Sequence, residues 1–99
     1  MIKLFALYKR PEDVEAFLDH YETVHIPLVR KIPGLKNAVV NRVTGSPMGG
    51  EPAYFQIAEL QFTDKTAFEA AMASPEFRAA GEDVTSFAGD LVTLLIAEA

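Results

Sequence analysis

Two stretches of this chain carry the same order of apolar patterning, and that repeat limits its possible folds more than any other feature. Residues 1–44 read as strand, helix, strand, and residues 53–97 read the same way. Ile2 to Lys9 is an apolar run stopped by Arg10-Pro11, a strand signal. Pro11 suits a first helical position, with Glu12 and Asp13 in the first turn. Val14, Phe17, Leu18, Tyr21, Val24, His25, Leu28 and Ile32 then recur at three- and four-residue steps, one continuous helical stripe. Pro33-Gly34 ends that helix, and Leu35 to Val43 reads as the second strand. After the Gly- and Pro-rich loop 45–52, a third strand runs from Ala53 to Phe62. Thr63-Asp64 cap a helix with the short stripe Phe68, Ala71 and Met72. Ser74-Pro75-Glu76 start another short helix that ends around Gly81, and Phe87 anchors the chain before a last strand over Leu91–Ala97. The order predicts an α+β fold, a ferredoxin-like βαββαβ arrangement with a four-stranded antiparallel sheet and its helices on one face, as a single domain over 1–99.

The last strand sharpens this picture. Leu91, Thr93, Leu95 and Ala97 form one of its faces and Val92, Leu94 and Ile96 the other, so it is apolar on both. Helices on one side of the sheet leave the second face bare, and soluble monomers rarely keep a large apolar patch in water. A second copy packed on that face removes the conflict, which predicts a homodimer. The formal charge of −5, from 9 basic and 14 acidic residues, disfavours nucleic acid and an acidic membrane surface as partners. With no cysteine there is no disulfide, no thiolate catalyst and no Cys-held metal. The N-terminus has too short an apolar run for a signal peptide, and no stretch approaches the ~20 apolar residues of a membrane span, so the expected location is cytoplasmic.

The most particular stretch is His20 to Leu35, which holds both histidines. Pro27 interrupts its apolar stripe, removes one backbone hydrogen bond and should kink or loosen the turn before it. His25 lies on the stripe beside that disrupted turn. Its unperturbed pKa near neutrality suits proton transfer into a cavity, whereas a buried neutral histidine bonded to a backbone carbonyl would suit a purely structural role. His20 is five residues away, about 140° round an α-helix, so the two do not share a face and no metal pair is expected. Glu22 and His20 are both expected to be solvated. Buried tyrosine hydroxyls need partners, which makes Tyr8, Tyr21 and Tyr54 candidates for lining a cavity. Gln56 and Asn37 are candidate polar groups on otherwise apolar strand faces, with positions at the sheet edge as the ordinary explanation of each. No Ser-His-Asp pattern is visible.

The run Tyr21-x3-His25-x-Pro27-Leu28-x4-Pro33-Gly34-Leu35 resembles the EthD family. The opening Leu7-Tyr8-Lys9-Arg10-Pro11, the segment Ala73-Ser74-Pro75-Glu76 and Ser86-Phe87-Ala88 agree with it. The resemblance implies a dimeric α+β barrel, two ferredoxin-like sheets face to face, with a small cavity between each sheet and its helices. It also places a histidine at position 25. Members of this superfamily include cofactor-free oxygenases acting on aromatic polyketides, haem-degrading enzymes and lactone isomerases. The EthD family is named for a member linked to ether degradation alongside a cytochrome P450 system. A shared fold supplies no reaction by itself.

Three functions follow as expectations. In the first, the protein binds or transforms an apolar small molecule, aromatic or ketonic, with no cofactor and no metal. His25 is then a general acid/base with Tyr21 beside it, and Tyr8, Tyr54, Gln56 and Leu28 contact the substrate; the chemistry is of oxidoreductase (oxygenase) or lyase type. In the second, it is a non-catalytic accessory or ligand-binding protein for an oxygenase system. In the third, it handles haem, with His25 as axial ligand.

Overall fold

A computed structural model describes all residues, Met1–Ala99. The chain runs β1 (Ile2–Tyr8), α1 (Val14–His20), a π-helical segment (Tyr21–His25), α2 (Ile26–Arg30), β2 (Leu35–Arg42), β3 (Gln56–Phe62), α3 (Lys65–Met72), α4 (Pro75–Ala88) and β4 (Val92–Glu98). This is the predicted βαββαβ order. No helix is long and apolar enough to cross a membrane.

The first helix starts later than its proline suggests. Asp13 is the cap, accepting from the Ala16 N–H at 3.0 Å, and Pro11 lies before it. Pro27 has the predicted loosening effect, in a specific form. Lacking an N–H, and with a ring that would press on the Thr23 carbonyl in a regular α-helix, it forces the turn before it to widen. The Ile26 N–H reaches back five residues to the Tyr21 carbonyl, and Tyr21–His25 become a π turn. The Thr23 hydroxyl supports the distortion by donating to the Asp19 carbonyl at 2.7 Å. Gly34, at φ +79°, turns the chain from α2 into β2 in a conformation that side chains avoid.

The helix begun at Ser74 differs most from expectation. Ser74 caps it as predicted, its Oγ accepting from the Phe77 N–H at 3.1 Å. It does not stop near Gly81 but continues to Ala88. A glycine inside a helix costs only about 1 kcal/mol relative to alanine, and Ala80, Val84 and Ala88 supply a buried stripe at four-residue steps that outweighs it. Phe87 therefore sits in the last turn of α4 rather than in a connecting segment. The third strand likewise begins at Gln56, three residues after the predicted start.

The sheet order is β2-β3-β1-β4, with every pair antiparallel. Register places Arg42, Gln56, Tyr8 and Val92 in one row across the four strands, and Val40, Ala58, Ala6 and Leu94 in the next. These rows face the helices. Two clusters fill the space between. One gathers Phe62, Phe68, Val29 and Ile32 at one end of the sheet; the other gathers Tyr8, Phe17, Tyr21 and Phe55 at the opposite end. The other face carries Phe5, Leu7, Val39, Ile57 and Leu95, with no helix over it. β4 is bare on both sides: Leu94 is 53% exposed, Leu95 52% and Ile96 61%.

Candidate functional site

The two histidines converge on one carboxylate. On α4, Asp83 accepts from His25 Nδ1 at 3.0 Å through Oδ2 and from His20 Nε2 at 2.8 Å through Oδ1. The expectation that His20 and His25 point apart is thus overturned, and the reason is the π turn. A five-residue hydrogen-bonded step brings residues five apart into line, where a 3.6-residue turn would separate them. Phe87, one turn after Asp83 on the same side of α4, lies against both rings, 4.4 Å from His20 and 5.3 Å from His25 between centroids.

Asp83 fixes the chemistry of His25. A carboxylate only accepts, so the nitrogen facing it carries the proton, and Nε2 is left as the ring atom with no protein partner. His25 is 6% exposed. Burial pushes its pKa below the ordinary 6.5, against an upward pull from the Asp83 hydrogen bond and charge, with nearby His20 pushing it further down. The ring is neutral at pH 7 and has a negative partner ready to stabilise the imidazolium once a proton arrives.

The His25 ring lines a cavity of about 60 Å³ at the seam between the two core clusters. Its walls are almost wholly apolar, and Ala6, Ala80 and Gly81 leave the space by being small. A Cβ built on Gly81 meets nothing within 4 Å, so the glycine there serves room rather than backbone geometry. Tyr8 is the one tyrosine in the wall, its hydroxyl bonded to Tyr21, and half-exposed Leu94 also lines the cavity. Burial, with Tyr21 and Asp83 nearby, holds Tyr8 protonated far above the usual tyrosine range.

Tyr21 packs edge-on to Tyr8 at 5.6 Å and against the His25 ring at 5.4 Å. Burial pushes its hydroxyl up to about 12, opposed by its Tyr8 and Gln56 neighbours. It faces a separate cavity of about 340 Å³ beside β2, together with Gln56 and Arg42. Gln56 is buried on a central strand, not at an edge, and Arg42 Nε donates to its Oε1 at 3.3 Å. Asn37 and Glu22 are exposed. Leu28 packs on the other cluster, at the Phe62 end. Tyr54 is half-buried in the segment before β3 and contacts none of the other aromatic rings. The structure therefore joins Tyr8, Tyr21, Gln56 and His25, leaves out Leu28 and Tyr54, and adds Asp83, His20 and Phe87.

The largest depression, about 650 Å³, is an open groove between the start of α1 and the end of α4 and meets this cluster only through His20 and Phe87. No group of three or more His, Cys, Asp or Glu side chains has metal-binding geometry. Both carboxylate oxygens of Asp83 are taken by the two histidines, one ring nitrogen from each.

Comparison with known proteins agrees with this architecture. Residues 9–90 match the family described as EthD domain. An EthD family protein from Bacillus halodurans, solved by crystallography, is 46% identical, superposes with a TM-score of 0.94, and is matched over 100% of this chain and 98% of its own. An uncharacterized 11.0 kDa protein from the thcB-thcC intergenic region of Rhodococcus erythropolis is 36% identical over 98 residues, covering 99% of this chain and 94% of its own length. A dimeric ferredoxin-like protein of unknown function from Thermobifida fusca shares the fold alone, at 20% identity, a TM-score of 0.70, and 99% and 90% coverage.

Proposed function

This chain belongs to the EthD family, and we propose that it acts on a small apolar ketonic or aromatic molecule by proton transfer at His25. The observation that carries this reading is the 3.0 Å bond from His25 Nδ1 to Asp83, which leaves Nε2 unpartnered on a ring that lines an apolar cavity. Nε2 accepts a proton from the carbon next to a ligand carbonyl. The C–H electron pair enters the new C=C bond, and the carbonyl oxygen takes the charge. The Tyr8 hydroxyl, neutral because it is buried, donates a hydrogen bond to that oxygen. Asp83 stabilises the imidazolium and keeps the ring in register, and the stored proton returns to the ligand. Tyr21 and Phe87 position the ring by packing on it.

The cavity is small, about 60 Å³, against the ~300–1,000 Å³ of a drug-sized pocket. It admits the reacting group of a ligand, while the remainder lies over Leu94. The bare face carrying Phe5, Leu7 and Leu95 supports a homodimer in which a second copy covers the sheet. The Thermobifida fusca protein, described as dimeric, supports that assembly.

The test is deuterium exchange. Small aryl ketones such as acetophenone are incubated in D₂O with the native protein and with His25→Gln, and label at the α-carbon is followed by NMR. Exchange above background in the native protein that is lost in a folded His25→Gln variant is expected. Equal exchange by both proteins ends the assignment.

A further inference from the structure

The geometry points to a second site, for a small organic carboxylate, in the 340 Å³ cavity between the π segment, α2 and the edge strand β2. Nothing in the proton-transfer reading at His25 requires it.

The argument starts from a buried donor without a partner. Gln56 is 1% exposed, and its Nε2 makes no hydrogen bond within 3.5 Å, its one longer contact being the Tyr21 hydroxyl at the cavity wall. The orientation of the amide is chemically determined. Arg42 has only donors, so the atom facing its Nε must be the oxygen, and the NH₂ faces the other way. Leaving such a donor unpaired costs about 1–3 kcal/mol, which a ligand oxygen would recover.

The charges around it select the ligand. Arg30 and Arg42 both line this cavity, and neither forms an ion pair with a carboxylate of the protein. In a chain of net charge −5, two guanidinium groups without a carboxylate partner bordering one cavity, from α2 and from β2, are conspicuous. Arg42 is held in place by stacking on the Phe55 ring at 4.6 Å as well as by its bond to Gln56. The only acidic residue on the wall is Glu22, so the site stays net positive. The Tyr21 ring, Ile26 and Val40 give the rest of the lining an apolar surface. Two guanidinium forks and an amide N–H match the two oxygens of a carboxylate, and the apolar wall matches a hydrocarbon or aromatic body rather than a bare anion.

Calorimetric titration of the full chain with benzoate tests this, with benzamide as the neutral isostere and inorganic phosphate as the anion without an apolar body. Saturable binding of one benzoate per chain is expected. Benzamide and phosphate should bind roughly tenfold or more weakly, and Arg30→Gln and Arg42→Gln should each weaken benzoate by a similar factor. Because Arg42 also supports Gln56, a second variant separates ligand binding from folding. Gln56→Leu removes the orphan donor, so it should keep or raise the thermal midpoint while weakening benzoate. Absence of saturable benzoate binding, equal affinity for benzamide or phosphate, or unchanged affinity in the folded variants overturns the proposal.

Discussion

His25 and Asp83 meet at 3.0 Å across 58 residues of chain, and the bond runs from a ring buried in the core to a carboxylate on the opposite helix. Together with burial, that contact sets the chemistry of His25. It sets which nitrogen carries the proton, and it opposes the burial that drives the pKa down.

Replacing Asp83 with asparagine keeps the shape and removes the charge. The upward pull on His25 then disappears, so its pKa should fall further below 6.5. Stability should drop by about 1–3 kcal/mol, because two imidazole N–H groups lose their carboxylate. Ring-proton NMR titration and urea denaturation check the two parts.

The depressed pKa also makes stability depend on pH. The unfolded chain binds a proton at His25 near 6.5, and the folded chain binds it only at lower pH. Between those values the unfolded state holds more protons, so acidification favours unfolding. The contribution is complete above 6.5 and is lost as the pH falls through 6.5 towards the folded pKa. Thermal midpoints should therefore decline from pH 7 to pH 5, and the slope should be shallower in His25→Gln.

Pro27→Ala restores an N–H and removes the ring that disfavours a regular α-turn. The segment Tyr21–His25 should revert to α-helical hydrogen bonding, with the thermal midpoint unchanged or higher, and His20 should swing away from Asp83. A crystal structure of the variant is the check. If the Ile26–Tyr21 bond and the 2.8 Å His20–Asp83 contact both survive, packing rather than proline creates the π turn.

Pro27 also shows what could be read in advance. A disrupted turn was legible from a proline inside an apolar stripe, and so were the strands, the Ser74 cap and the inward position of His25. The pairing of His20 with His25 was not, because helical-wheel geometry assumes 3.6 residues per turn and the π segment breaks that assumption. Asp83 was hidden by Gly81, which has the appearance of a helix stop in a run of weakly apolar residues. The usable signals were Ala80, Val84 and Ala88 at four-residue steps, and Asp83 and Phe87 one turn apart. What joins Asp83 to His25 is tertiary packing of α4 on the π segment, which no local pattern encodes.

Gly81 offers a separation of stability from function. Alanine in mid-helix is favoured by about 1 kcal/mol, or roughly 4–8 °C in a domain of this size. The added methyl group meets no atom within 4 Å but narrows the space beside His25. Gly81→Ala should thus melt higher and exchange ketone protons more slowly, a combination that calorimetry and the deuterium assay detect together.

The bare sheet face makes its own prediction. Leu95 stands there, 52% exposed, directly opposite Phe5 on β1. Leu95→Glu introduces a charge that a covered face would have to bury, so sedimentation should shift from dimer to monomer. A native protein that sediments as a monomer at micromolar concentration contradicts the assembly.

The most direct measurement is the ¹⁵N NMR spectrum of the His25 ring at pH 7. The account predicts a neutral imidazole with the proton on Nδ1, bonded to Asp83, and an unprotonated Nε2 available to a ligand. A proton on Nε2, or a fully protonated ring at that pH, contradicts it.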